Sequence, residues 1–195
     1  MSRMRDLVRE LKAVRAEYDC TVGTRLKVSM AEQMAAAFQA TPEARDKMIA
    51  DARKVASSLP NGPATAESVS AAEVALEFSF PSDYREFLLM HDGWPRFSGE
   101  YALLSTSELV EPEWRASIDA VAAAYATDGD DAPARGVVIY ASLGGRQLGF
   151  FDRAGARDTG PELVFYDLGE AIRHASFTQY LESMIATGRR ALAKN

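Results

Sequence analysis

The chain has 195 residues, of which 47% are hydrophobic and 26% are charged, and its net charge is −6. This composition is that of an ordinary globular protein and excludes a disordered or fibrous chain. Because Cys20 is the only cysteine, an intramolecular disulfide is excluded. The sequence shows neither a secretory signal nor an apolar stretch of membrane-spanning length, so we expect a cytoplasmic protein that does not bind membranes.

The charge is unevenly distributed along the chain. Residues 1–27 carry seven Lys and Arg against four Asp and Glu, a balance of +3, which leaves −9 for the remainder. An acidic body repels nucleic acid and attracts basic partners over a distance, although net charge can also serve solubility alone. Asp6, Glu10 and Glu17 interrupt the basic residues of the N-terminal segment, as on the solvated side of an ordinary helix. We therefore expect no nucleic-acid binding.

Three helices are predicted in residues 1–60. The first has apolar residues at the spacing of one helical face, namely Leu7, Leu11, Val14 and Tyr18. The second carries Met30, Met34 and Phe38, and the third begins at Thr41-Pro42. Helix breakers over residues 59–63 predict a linker. Because an exposed apolar stripe on the first helix would need a cover, we expect this segment to dock.

Capping boxes mark further helix starts in the rest of the chain. Ser70 with Glu73, Ser105 with Glu108 and Ser176 with Gln179 have the spacing at which two side chains satisfy unpaired amides. The first box predicts a helix from about Ala71 to Phe78. Another helix is predicted from Ser82, and Gly93 is suited to end it.

Short β-type segments lie between these helices. They are Tyr101–Leu104, Val137–Tyr140, Gln147–Phe151 and Leu163–Tyr166. The pair Gly144-Gly145 predicts a tight hairpin turn, because glycine accepts the positive φ angles that such turns need. Adjacent strands joined by turns pair antiparallel, so the predicted class is α+β.

Several short motifs occur in a characteristic order along this part of the chain. They are Glu73, Phe80-Pro81, Asp83-Tyr84, Phe87-Leu88, Asp92-Gly93, the Val137–Asp152 hairpin and Ala175-Ser176-Phe177. The ordered set resembles the signature of the SUKH superfamily, which includes yeast cell-wall-synthesis regulators and bacterial immunity proteins. Phe80 and Asp92 stand where that family usually has Leu and Asn.

The resemblance covers about residues 65–187 and implies a twisted, mainly antiparallel sheet flanked by helices. It also implies a binding function without catalysis and, for bacterial members, a toxin partner that is often a nuclease or deaminase. We accordingly divide the chain into a helical N-terminal extension (1–60), a SUKH-like domain (65–187) and a helix end or tail (188–195).

The residues predict no catalytic or metal site. One Cys and two His give no zinc-binding spacing. The loop from Asp128 to Asp131 resembles a calcium loop, but Pro133 stands where such a loop needs glycine. No phosphate-binding glycine motif occurs. His91 beside Asp92 is an acid–base pair in sequence only, since neighbours at a helix end point apart. We therefore expect neither enzyme activity nor a cofactor.

The leading hypothesis is an immunity protein that blocks a cationic toxin. The candidate partner-binding residues are Trp94, Arg96, Phe97, Glu108, Glu111, Glu113, Asp128, Asp130 and Asp131. Trp and Arg are frequent interface anchors, and acidic groups speed association with a basic partner. The alternatives are a core-edge position for Trp94 and an ordinary solvated face for the carboxylates. The alternative function is an intracellular adaptor that binds several proteins, and the oligomeric state is left open.

Overall fold

A computed structural model describes residues 2–54, 59–157, 160–167 and 170–194. The chain divides into two compact units. One comprises Met1–Leu7 and Ser58–Glu182, and the other comprises Val8–Ser57 and Ser183–Asn195. We call them the sheet unit and the helical unit. Within the described residues, no helix combines the length and apolarity that crossing a lipid bilayer requires.

The helical unit is built from α1 (Arg3–Tyr18) from Val8 onward, α2 (Thr24–Ala37) and α3 (Pro42–Lys54), with the end of the last helix, α8 (Phe177–Ala193). A π-helical turn, Asp19–Gly23, joins α1 to α2. The Thr41 hydroxyl accepts a hydrogen bond from the Ala44 amide (3.3 Å), which confirms the predicted start of α3.

The apolar stripe predicted on α1 is partly covered inside this unit. Leu11 and Val14 are buried. Val14 lies against α8 at Gly188, where an added Cβ would be 2.5 Å from the Val14 Cγ1 atom. Glycine therefore permits a close approach of the two helices. Docking of residues 1–60 on the main domain stays a prediction.

Within the described residues, the sheet unit contains six strands in the order of the sequence, each antiparallel to its neighbours. They are β1 (Trp94–Ser98), β2 (Tyr101–Leu103), β3 (Val137–Ala141), β4 (Leu148–Arg157), β5 (Gly160–Asp167) and β6 (Glu170–His174). The helices of this unit are α4 (Ala66–Ala75), α5 (Ser82–Met90), α6 (Pro112–Thr127), α7 (Ala132–Arg135) and the start of α8. This arrangement confirms the predicted α+β class.

One face of the sheet packs against α5 and α8 through aromatic rings. Tyr84 of α5 lies edge-on to Phe151 of β4 (5.3 Å between ring centroids) and to Phe177 of α8 (5.1 Å). Phe165 of β5 stacks on Tyr180 of α8 at 4.2 Å. Rings bury large apolar areas and gain further from edge-to-face contact, so this layer holds the main core.

The opposite face of the sheet is covered by α6 and α7. Tyr125 of α6 contacts Tyr166 of β5, with ring centroids 4.9 Å apart, and Tyr166 stacks on Phe150 of β4. Phe150 and Tyr166 lie on the same side because Phe150 pairs with Val164, two residues from Tyr166. The C-terminal end of α6 is thereby fixed above β4 and β5.

The predicted capping box at Ser70 is wrong, because α4 begins at Ala66. Thr65 is the N-cap and accepts a hydrogen bond from the Ser68 amide at 3.1 Å. Glu73 instead accepts from the Phe80 amide (2.9 Å) and pairs with Arg85 of α5. The glutamate is used to join two helices rather than to start one.

The capping box at Ser105 forms, but it closes a single turn. Glu108 accepts from the Ser105 amide at 2.8 Å, and the Ser105 hydroxyl accepts from the Glu108 amide at 3.3 Å. The helix proper starts at Pro112. Proline suits the first helical position, because the amide hydrogen that it lacks would have no partner within the helix there. The third box is confirmed in part, since the Ser176 hydroxyl caps the Gln179 amide at 3.1 Å.

Two strands, β1 and β6, were not predicted, and the turn between β3 and β4 is longer than expected. Residues 142–147 connect these strands, with a positive φ at Gly144 but not at Gly145. The predicted linker is also hydrogen-bonded rather than free. The Asn61 amide donates to the Gly93 carbonyl (3.1 Å), and the Ala64 amide donates to the Leu88 carbonyl (3.0 Å).

Candidate protein-binding surface

Trp94 and Phe97, predicted as interface anchors, are fully buried in the sheet unit. Their rings meet edge-on at 5.1 Å, and Phe97 also contacts Tyr140 and Tyr180. The strand register shifts between Trp94 and Ser98, and Arg96 has a positive φ of 48°. An irregularity of this kind breaks the alternation of side chains, so both rings enter the core. Trp94 therefore occupies the core position that was the alternative interpretation, and Arg96 alone of the three is exposed.

The six candidate carboxylates lie in two groups at opposite ends of α6. Glu108, Glu111 and Glu113 are near its N-terminus, and Asp128, Asp130 and Asp131 are near its C-terminus. A helix of 16 residues is about 24 Å long. The structure therefore divides the predicted acidic surface into two separate sites.

The N-terminal group has ordinary structural roles. Glu108 closes the turn at Ser105. Glu111 and Glu113 are exposed at the N-terminal end of α6, where the helix dipole stabilises negative charge. The positions of Glu111 and Glu113 are therefore explained by helix stability alone.

The C-terminal group is joined to the sheet. Asp130 accepts hydrogen bonds from the Tyr166 hydroxyl and from the Ala132 amide, the latter at 3.0 Å. Asp131 forms an ion pair with Arg135 of α7. Asp128 is the exposed C-cap residue of α6. The loop is therefore held in place while two of its three carboxylates face solvent.

Two carboxylates that were not predicted adjoin this loop. Asp152 of β4 and Glu162 of β5 are direct cross-strand partners and are only 5% and 7% exposed. Arg173 of β6 donates to both, at 3.2 Å and 3.1 Å. The alternation of side chains along a strand determines which face of the sheet Asp152 and Glu162 occupy. Only the register between β4 and β5 shows that the two residues lie opposite each other.

We call Asp128, Asp130, Asp131, Asp152 and Glu162 the acidic cluster. Its five carboxylates are accompanied by two guanidinium groups, those of Arg135 and Arg173, which leaves a net charge of −3. Like charges on neighbouring elements raise the electrostatic potential that a partner meets at the surface.

Hydrogen bonds and burial shift the pKa values of Asp130, Tyr166 and Arg173 in and beside the cluster. The hydrogen bond from Tyr166, helped by the Ala132 amide and the nearby arginines, lowers the pKa of Asp130. Burial, together with its bond to Asp130, raises the pKa of Tyr166 to about 12. Burial opposes the charge of Arg173, but hydrogen bonds to Asp152 and Glu162 raise its pKa. The lowered pKa of Asp130 means that this carboxylate is ionised at neutral pH.

The two histidines have separate surroundings. His91 Nδ1 is hydrogen-bonded to the Asn61 carbonyl at 3.0 Å. His174 packs edge-on against Tyr180, and burial lowers its pKa. Among the residues that the structure describes, no group of three or more His, Cys, Asp or Glu could hold a metal ion.

An open cleft of about 310 Å³ lies at the other end of α6, between α4 and β4. Its lining consists of Ala75, Leu76, Glu77, Val110, Arg115, Gly136, Val137 and Arg153. Arg153 donates to the Leu76 carbonyl at 2.6 Å and lies over the Phe78 ring. Its guanidinium therefore fastens the end of α4 to the sheet.

The comparison with family models supplies the identification. Residues 63–183, more than half of the chain, match the model of the SMI1 / KNR4 family (SUKH-1). The chain belongs to this family. Its membership supports a role in protein interaction or immunity in general. A comparison with curated proteins finds no match.

In this SUKH protein the family motif residues support the fold. Asp83 accepts a hydrogen bond from the Thr178 amide (2.7 Å) and so caps α8 from α5. Asp92 accepts from the Thr106 amide (2.6 Å) and hydroxyl (3.1 Å). Burial, with the charges of Asp92 and Glu108, raises the pKa of Tyr84. The motif is thus a structural signature, and Asp152, at the end of its hairpin, is the one motif residue that also belongs to the acidic cluster.

Proposed function

We propose that this SUKH protein is an immunity protein that binds and neutralises a bacterial toxin of the nuclease or deaminase class. The acidic cluster at the C-terminal end of α6 is the observation that carries the proposal. A toxin that acts on nucleic acid has a cationic surface for phosphates. An acidic surface that covers this face blocks access of the substrate and gains electrostatic complementarity.

The cluster is organised before any partner binds. Asp130 is fixed by two hydrogen bonds, and Asp152 and Glu162 are held by one arginine. Since these groups are already ordered, a partner that meets them does not have to immobilise them. The exposed Asp128 and Asp131 then supply the direct contacts, while the buried pair adds to their potential.

The position of Asp128 opposes helix stability. A carboxylate at the C-terminal end of a helix meets the negative end of the dipole, which costs about 0.3–1 kcal/mol at an exposed position. The last turn of α6 contains no basic residue that would offset this charge. Residues that break a local rule in this way are expected at functional sites.

Nucleic acids are the substrates of this toxin class, so inhibition belongs in the cytoplasm. The proposal needs no cofactor or metal, because binding alone covers the toxin's cationic face. The two surfaces are complementary, and a few residues contribute most of the binding free energy.

The test compares two double variants that each remove two negative charges from α6 or its ends. Asp128→Asn with Asp131→Asn alters the acidic cluster, whereas Glu111→Gln with Glu113→Gln alters the other end. The partner is a toxin domain encoded next to the gene. We expect the first variant to raise the dissociation constant about tenfold or more and the second to change it less than about twofold.

Co-expression with the toxin gives the functional measurement. Wild type and the glutamate variant should protect cells, and the aspartate variant should protect them less. Equal loss in both variants, or loss in the glutamate variant alone, would reject the acidic cluster as the site. Absence of protection by the wild type, with no binding at low salt, would reject the immunity function. Capture of several cellular proteins instead of one toxin would favour an adaptor.

A further inference from the structure

An apolar stripe runs along α2 of the helical unit. Its four members recur every fourth residue, with Leu26 52%, Met30 61%, Met34 49% and Phe38 76% exposed. Residues at this spacing lie on one side of a helix. Over these 13 positions the stripe is about 18 Å long. Contiguous exposed apolar surface of this extent marks an interaction site.

The stripe is on the outer side of α2. The inner side carries the buried Ala31 and Ala35, and the Glu32–Arg45 ion pair (3.7 Å) connects α2 with α3. Small residues there allow the two helices to approach closely. The four stripe side chains therefore point away from the side of α2 that packs within the helical unit.

Charges close to the stripe are already paired within the unit. Lys27, which flanks it, lies 3.6 Å from Asp19, and Arg25 donates to the Thr21 carbonyl at 3.3 Å. A partner covering the stripe would therefore meet Lys27 already ion-paired and Arg25 already hydrogen-bonded within the unit.

We propose that the stripe binds a second copy of the chain, with the two α2 helices antiparallel about a two-fold axis. The even spacing makes the stripe self-complementary about its midpoint. Leu26 then faces the partner's Phe38, and Met30 faces the partner's Met34. Antiparallel packing also opposes the two helix dipoles and separates the basic ends of α2.

The available area agrees with a reversible dimer. The four side chains expose about 500 Å² per copy, so a symmetric contact buries about 1,000 Å² in total, the lower limit for a specific interface. This inference is independent of the immunity function, since a dimer forms without toxin.

Sedimentation of the full-length chain at increasing concentration tests the proposal. We expect wild type to pass from monomer to dimer, and Met34→Lys to raise the dissociation constant at least about tenfold, because the substitution occurs twice per interface. Val74→Lys is the matched control. Val74 is 77% exposed on the sheet unit, so its substitution should leave the equilibrium unchanged. Circular dichroism checks that the helix content is retained.

Disulfide trapping tests the orientation. Met30→Cys and Met34→Cys are prepared separately with Cys20→Ser, then oxidised alone and as a mixture. We expect covalent dimers mainly in the mixture, where positions 30 and 34 face each other. Dimers in each variant alone would reject the antiparallel arrangement. A monomeric wild type would reject the interface, and so would loss of the dimer in Val74→Lys. If no dimer forms and Met34→Lys loses toxin binding, the stripe is a toxin-binding surface instead.

Discussion

Asp130 is the residue that connects the acidic loop to the sheet. It accepts the Tyr166 hydroxyl and the Ala132 amide, and the first of these bonds contributes most to its lowered pKa. A carboxylate whose folded-state pKa is lowered stabilises the fold above its unfolded pKa, and that contribution is lost as the pH falls through the folded pKa. The Tyr166–Asp130 bond should therefore stabilise the protein at neutral pH but not in acid.

Tyr166→Phe tests this linkage. At pH 7 the variant should lose about 1 kcal/mol of unfolding free energy, because a hydrogen bond to a charged group is removed. The difference from wild type should begin to shrink below the ordinary aspartate pKa of about 3.9 and disappear as the pH falls through the lowered pKa of Asp130. Urea denaturation at a series of pH values measures it. Tyr125→Phe is the control, since the Tyr125 hydroxyl donates to the uncharged Arg146 carbonyl at 2.9 Å. A constant difference for Tyr166→Phe would contradict the role of Asp130.

At the scale of elements, one junction holds together α5, β1 and the turn at Ser105. Gly93 lies between α5 and β1 with a φ of +79°. A Cβ at this position would be 2.6 Å from the Ser105 nitrogen and 2.7 Å from the Leu103 oxygen, both backbone atoms that cannot rotate away. The preceding Asp92 binds the same turn. Glycine is therefore required both by the dihedral angle and by the contact.

Gly93→Ala and Gly99→Ala separate these two requirements. Gly99 also has a positive φ, +63°, but no atom lies within 4 Å of its virtual Cβ. We expect Gly99→Ala to cost about 1 kcal/mol from the backbone conformation alone. Gly93→Ala should cost roughly 3 kcal/mol or more, because overpacking adds to that strain. Chemical denaturation measures both losses of unfolding free energy. Equal losses in the two variants would show that the backbone around Gly93 shifts to accommodate the added methyl group.

Local and non-local signals differ at this same scale. The starts of α3 and α8 could be predicted because their caps lie within four residues of the bonds they make. Glu73 satisfied the same local rule, yet its side chain bonds to Phe80 and Arg85 instead. A capping motif specifies which bonds are possible, and a partner that approaches from another element decides which one forms.

At the scale of the whole molecule, charge is the property most relevant to the proposed function. The chain carries −6 overall, while residues 1–27 carry +3. The acidic cluster belongs to the negative remainder, so the molecule presents a strong field to a cationic partner. Fields of this kind increase the rate of encounter more than they prolong the complex.

Salt dependence of toxin binding is the corresponding prediction. Raising sodium chloride from about 0.05 M to 0.5 M should lower the association rate constant about tenfold, because screening shortens the range of the field. The dissociation rate constant should change much less. Stopped-flow association measurements test both. The Asp128→Asn, Asp131→Asn variant should show a weaker salt dependence than wild type, and an association rate insensitive to salt would contradict steering by the cluster.

The sequence by itself determined the α+β class, the family and most of the helices and strands. These features depend on periodicity, caps and turn residues that act between near neighbours in the chain. Only the tertiary structure decided that Trp94 and Phe97 are buried, that Tyr166 binds Asp130, and that Asp152 meets Glu162. Strand register and helix packing bring together residues far apart in sequence, and local patterns do not encode those distances.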